Sequence, residues 1–276
     1  MRRAFAAIVV PSVVMLFSVA ATEDEPRLEV ERIGERTWLL RTASDNVVVA
    51  LGADGPLVIG NGAASFDDDV RTELAKLDAR RPECFVLTHE HRGAVSMPEE
   101  AFSIAHDATS ETMTANGRGA NLHFRSRLTL EAGDETLTCH FKGHGRTAGD
   151  LVAHLSTARV LAVGALVENH RHPTIRDDDR TELRGWIRVL RELARDFDGK
   201  EIVVVPASGP RGGIELLTDQ AGYLQAVLDD MVSARRHGLS RDEAMRRGDA
   251  LRERFSDRTG DGFDSLLELA YDAAGR

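Results

Sequence analysis

Along Glu83-Cys84-Phe85-Val86-Leu87-Thr88-His89-Glu90-His91-Arg92-Gly93-Ala94 an apolar run turns abruptly polar. Phe85 to Leu87 combine aromatic and branched apolar side chains, the pattern of a short buried strand. Thr88-His89-Glu90-His91 then brings out two imidazoles, two residues apart, just past the strand's carboxyl end. In a layered α/β protein that edge is where sites are built. Two neutral imidazoles there can share a metal ion. Equally, one histidine can pack while the other is solvated, because a functional zinc needs three or four ligands.

Upstream of this stretch, Leu28 to Ile33 and Thr37 to Arg41 read as a hairpin around Gly34-Glu35. Asn46 to Leu51 and Pro56 to Ile59 form a second pair. Ser65 with Asp68 caps a helix whose Phe66, Val70, Leu74 and Leu77 share one face. Downstream, Phe102 to Ala105 is a strand, and a helix over Thr109 to Asn116 ends at Gly117. Strands follow at Phe124–Leu130, Glu135–Phe141, Leu151–Ser156 and Val160–Val163. A helix from Thr181 to Phe197 presents Leu183, Trp186, Ile187, Leu190 and Leu193 together. Ile202 to Val205 reads as a buried strand. Ile214 to His237 is a long helix, Ser240-Arg241-Asp242-Glu243 a capping box, and Phe263 to Tyr271 a last helix. Strands, a helix, then strands and helices again predict two sheets packed face to face with helices outside.

Arg2 and Arg3 precede an apolar run from Ala4 to Val19, broken by Pro11, Ser12 and Ser18, and Ser18-Val19-Ala20 has the small residues of a cleavage site. Residues 1–20 read as a signal peptide, which implies a periplasmic or secreted protein with no membrane association once cleaved. Residues 21–276 read as a single domain with a helical carboxyl-terminal extension. The net charge of −10 argues against nucleic-acid binding. Cys84 and Cys139 both sit in strand-like apolar runs and read as buried thiols, although an oxidising compartment would permit a disulfide.

Thr88-His89-Glu90-His91 resembles the opening of the T-H-x-H-x-D-H signature of the metallo-β-lactamase superfamily. Four further blocks extend the resemblance along nearly the whole chain after the signal peptide. Leu57-Val58-Ile59-Gly60-Asn61-Gly62 is similar to an apolar pair followed by Asp-Thr-Gly. Gly143-His144-Gly145-Arg146-Thr147-Ala148-Gly149-Asp150 is similar to G-x-G-H-T-x-G-D. Val160 to Val167 is similar to the strand ending in Gly-Asp, and Val203-Val204-Val205-Pro206-Ala207-Ser208-Gly209-Pro210 to V-V-P-G-H-G-P. The resemblance implies an α/β (α+β) chain folded as a four-layer αββα sandwich. It also implies a zinc centre that makes hydroxide to hydrolyse esters, amides, thioesters or phosphodiesters. Asn169-His170-Arg171-His172-Pro173 resembles a segment of exported members associated with quinoprotein and sulfur-oxidation systems.

The blocks keep their scaffold residues and lose their ligands. Gly60, Gly93, Ala94, Arg146, Ala165 and Ser208 stand where the family has aspartates and histidines, and only His89 and His91 keep a ligand type. A guanidinium stays protonated and cannot bind a metal, so the two-metal mechanism is not available. The expectation is a non-catalytic pseudoenzyme acting as a binding or accessory protein, with no cofactor or at most one zinc ion. Its pocket would comprise Asn61, Arg92, Arg146, His172 and Ser208, and its partner would be a small anionic ligand or a periplasmic protein. Arg146 pairing with Asp150 is the plainer alternative. A second reading rewires the site as a one-metal hydrolase on His89, His91 and His144, with Glu90 as general base. A third makes the chain a structural partner through its carboxyl-terminal helices. No Walker-type loop or G-x-S-x-G elbow is present, and Asp257 to Asp264 lacks EF-hand spacing.

Overall fold

The computed structural model describes residues 28–42, 44–61, 68–82, 84–89, 102–115, 117, 119–176 and 180–275. The expected signal peptide, the Ser65 cap with Phe66, Glu90, His91, Arg92, Gly93 and Ala94 lie outside the described residues.

One sheet has seven strands in sequence order: β1 (Leu28–Gly34), β2 (Thr37–Thr42), β3 (Asn46–Leu51), β4 (Pro56–Gly60), β5 (Cys84–Leu87), β6 (Ser103–His106) and β7 (Leu122–Phe124). It is antiparallel as far as β4 and parallel from β4 to β7. The other sheet runs β12 (Val203–Ser208), β11 (Val160–Glu168), β10 (Leu151–Leu155), β9 (Glu135–Phe141) and β8 (Arg127–Ala132). Only its β11–β12 pair is parallel.

Period-two alternation sorts the strand residues into layers. Leu57 and Ile59 of β4 point inward with Val48, Val86, Leu137, Leu151 and Val160, forming the core between the sheets. Val58 points outward with Val47 and Val49, under Val70 and Leu74 of α1 (Asp68–Leu77) and Met113 of α2 (Asp107–Ala115). On the far side, Leu161 and Val163 meet Trp186, Ile187 and Leu190 of α3 (Leu183–Asp196) and Leu224 and Val227 of α4 (Glu215–Arg236). α5 (Arg241–Arg247), α6 (Asp249–Arg254) and α7 (Phe263–Ala273) complete that layer. The result is the four-layer αββα sandwich expected from the sequence.

Several boundaries differ from the expectation, three of them for a clear local reason. The single strand at Phe124–Leu130 is two strands in different sheets, because the chain crosses between them at Arg125-Ser126. Arg125 is held there by Asp107 at 2.9 Å. The Thr181 hydroxyl donates to the Arg146 carbonyl at 2.6 Å, and α3 starts two residues later. β11 continues to Glu168 through a bulge at Gly164, whose φ is +52°. Cys84 and Cys139 are buried between the sheets and are not joined in a disulfide, and burial pushes the Cys139 thiol up to about 12. The Ser240 capping box forms as expected at the start of α5.

Candidate functional site

The five motif blocks converge on Thr88-His89 through backbone contacts. Thr88 N–H donates to Gly60 O at 2.9 Å, joining the second block to the first. Leu151 N–H donates to Thr88 O at 2.8 Å, bringing in the end of the third. The fourth block arrives at Gly164, where a Cβ would stand 2.7 Å from Thr88 Oγ1 and 3.3 Å from His89 Nδ1. Asn169 N–H donates to Ser208 O at 3.0 Å, tying the fourth block to the fifth. Asn46 closes the ring, its Nδ2 donating to Pro206 O at 3.0 Å and Gly209 O at 2.9 Å.

The open ends of β3, β4, β11 and β12 leave a small crevice between the sheets, floored by Val48, Ile59 and Ala162. Asn46, Asn61, Thr88 and His89 supply its polar wall. Its free space of about 10 Å³ is room for roughly one water molecule. His89 is 2 % exposed and its Nδ1 lies 3.0 Å from Thr88 Oγ1, which fixes the ring's orientation. Asn61 donates to Asp45 Oδ1. Asn46 Oδ1 is buried with no hydrogen-bond partner among the described residues.

Arg146 is 1 % exposed, and its guanidinium donates to Thr174 O. Asp150 is also buried, accepting from Thr147 N at 2.8 Å and Thr147 Oγ1 at 2.6 Å. Burial pushes the Asp150 carboxyl up to about 6, against the Thr147 hydrogen bonds and the Arg146 charge, which pull it down. Ser208 is 5 % exposed, and its Oγ has no hydrogen-bond partner among the described residues.

The remaining expected site residues are dispersed. His144 faces outward with 45 % of its side chain exposed, its Nδ1 3.6 Å from Glu182 Oε1 and its ring edge-on to Phe141. His172 is enclosed between α4 and α7, its Nδ1 2.7 Å from Tyr223 OH and its ring against Phe263. Burial holds its basicity below the usual range. Of the buried polar groups that tie the fifth and third blocks down, the sequence marks Asp150 only as a partner for Arg146 and does not mark Asn46. The available signal was a polar side chain at each end of an apolar run.

The donor set does not suit the zinc centre that the resemblance implies. A buried guanidinium occupies the third block, and Gly164-Ala165 and Ser208 bring no carboxylate or imidazole to the convergence point. Among the described residues, no group of three His, Cys, Asp or Glu side chains is placed to hold a metal; His91 lies outside them. No step through a metal follows from these residues.

A two-sheet sandwich with helices on both outer faces and five loops meeting at one edge defines a recognisable class of α/β protein. This chain has the metallo-β-lactamase fold. It superposes on a metallo-β-lactamase from Pontibacter korlensis with a TM-score of 0.63 at 21 % identity, covering 72 % of this chain and 99 % of that one. The DIM-1 metallo-β-lactamase gives 0.62 at 18 % identity, covering 73 % and 98 %. TMB-1 gives 0.61 at 19 % identity, covering 73 % and 99 %. No protein-family model and no curated protein matches the sequence.

Proposed function

We propose that this is an exported metallo-β-lactamase-fold protein whose zinc centre has given way to a non-catalytic binding pocket, acting as a binding or accessory protein. Arg146 carries the reading. A guanidinium that is 1 % exposed stands in the loop where the resembling family has a ligand histidine, anchored to Thr174 O. A guanidinium offers only N–H donors and a positive charge, so it cannot ligate a metal cation and repels one. The positive charge of Arg146 is what supports a small carboxylate, phosphate or sulfate as ligand, placed outside the one-water crevice at Asn61 and His89.

The test is zinc per chain by mass spectrometry, on protein purified from zinc-supplemented cells beside a His89→Ala/His91→Ala control. The expected outcome is no zinc above the control. Close to one zinc per chain, lost in the control, overturns the reading in favour of a one-metal hydrolase on His89, His91 and His144. Replacing the exposed His144 by alanine would then abolish activity, whereas the pseudoenzyme reading expects it to change nothing.

A further inference from the structure

On the opposite side of the second sheet from its partner sheet, α3 carries Arg184, Arg188, Arg191 and Arg195 at intervals of four, three and four residues. That spacing puts all four guanidiniums on one exposed face, over about 16 Å of helix axis. They line a groove of about 220 Å³ between α3 and α4. Its floor is apolar, from Ile187 and Leu228, and Gln225 stands on the α4 side.

These arginines contrast with the ion-paired arginines of the surface. Arg41, Arg125, Arg211, Arg241, Arg247 and Arg252 each contact a carboxylate. In the groove, Arg184 donates to Ala273 O at 3.3 Å and Arg191 to Gln225 Oε1 at 3.0 Å, both neutral acceptors. Arg188 alone has an acid nearby, Glu192 at 3.8 Å. Among the described residues no carboxylate lies within ion-pair distance of Arg184, Arg191 or Arg195. The chain carries 45 acidic and 35 basic residues, so a groove lined, among the described residues, by four arginines and no carboxylate is a departure from its own composition. Like charges three and four residues apart also weaken a helix, so the pattern works against α3 unless an anion sits on it.

We infer that the α3–α4 groove docks an extended acidic segment of a partner protein. The charges run in a line instead of converging on a point, which matches a series of separate anions better than a single phosphate. An extended peptide sets alternate side chains about 7 Å apart, close to the 5.4 Å that separates successive helical turns, within reach of long flexible arginines. Guanidiniums take carboxylates in two-pronged contacts. The apolar floor receives the side chains between the acids. Among the described residues no aromatic ring lines the groove, so unpaired bases would have nothing to stack on.

The test is fluorescence anisotropy of the whole protein with a labelled Glu-Ala repeat peptide of about 12 residues, long enough to span the stripe. A Gln-Ala peptide and a labelled oligouridine serve as comparison probes. The acidic peptide is expected to bind at low salt, and to bind about tenfold more weakly to Arg191→Gln/Arg195→Gln and at high salt. Arg159→Gln, which removes an exposed arginine elsewhere, should leave binding unchanged. Circular dichroism checks folding, and Arg184→Gln/Arg188→Gln replaces the first pair should that variant unfold. No binding of the acidic peptide, equal binding by the folded double variants, or tighter binding of oligouridine each overturns the assignment.

Discussion

The backbone N–H of Leu151 donates to the carbonyl of Thr88 at 2.8 Å, joining the first strand edge after β5 to a strand of the other sheet. The two sheets are therefore tied at the point where the motif loops meet. Gly164 presses on the same residue from β11, with φ at +52° and the place of a Cβ 2.7 Å from both Thr88 Cβ and Oγ1. Gly164→Ala adds left-handed backbone strain and a clash against the Thr88 side chain, and should cost about 2–4 kcal/mol. Urea unfolding measures it. A variant within about 0.5 kcal/mol of the parent would mean that Thr88-His89 is not rigidly held.

Asp150 makes stability depend on pH in a direction opposite to most carboxylates. Its ordinary value is 3.8 and its folded value about 6. Between these the native state binds more protons than the unfolded chain, so stability falls as pH rises from about 4 to about 6 and is flat above. The full fall from this group is about 3 kcal/mol, at roughly 1.4 kcal/mol per unit. Asp150→Asn keeps an acceptor for Thr147 N–H and loses the titration. Unfolding free energies of parent and variant between pH 4 and 7 should therefore converge at the acid end and separate in the variant's favour toward neutrality. Parallel curves would show that the carboxyl is not desolvated.

Periodicity alone placed most elements of the sandwich, because each strand and helix buries one face and the core selects for it. β4 alternates Leu57, Val58 and Ile59 between the inter-sheet core and the helical layer. α3 buries Trp186, Ile187, Leu190 and Leu193 as its spacing implied. The crossing at Arg125-Ser126 was not legible, since Phe124 and Leu128 continue one alternation while belonging to different sheets. Site residues followed a different logic. The motif order predicted which loops meet, because a glycine such as Gly164 records a close approach in the sequence itself. Side-chain direction left no such record. His144 and Arg146 are two residues apart, yet one is exposed beside Glu182 and the other is buried against Thr174.

Arg146→Ala should be among the most destabilising changes at the site. It removes a fully enclosed side chain, leaves Thr174 O without its donor and takes the compensating charge away from Asp150. A loss of about 3 kcal/mol is expected, chiefly from the cavity. Arg146→Lys should recover part of this stability, because the charge returns without the planar fork. Thermal unfolding separates the three proteins. An alanine variant as stable as the parent would show that the enclosed guanidinium does not hold the loop in place.

Asn46 tests how firmly the fifth block is fixed. Its Nδ2 donates to both Pro206 O and Gly209 O, so Asn46→Ala leaves one buried and one half-buried carbonyl without this donor, at a cost of about 2 kcal/mol. Asn46→Asp is nearly identical in shape, but sets a carboxylate oxygen against those two carbonyl oxygens. At neutral pH it should therefore be worse than the alanine. A buried carboxyl in that setting titrates above its usual range, so protonation is favoured in the folded state and the aspartate variant regains stability as pH falls. The order of the two variants should thus narrow or reverse between pH 7 and about pH 4. An aspartate variant that matches the parent at neutral pH would mean that Pro206 and Gly209 are held by their own strand, and that Asn46 only accompanies them.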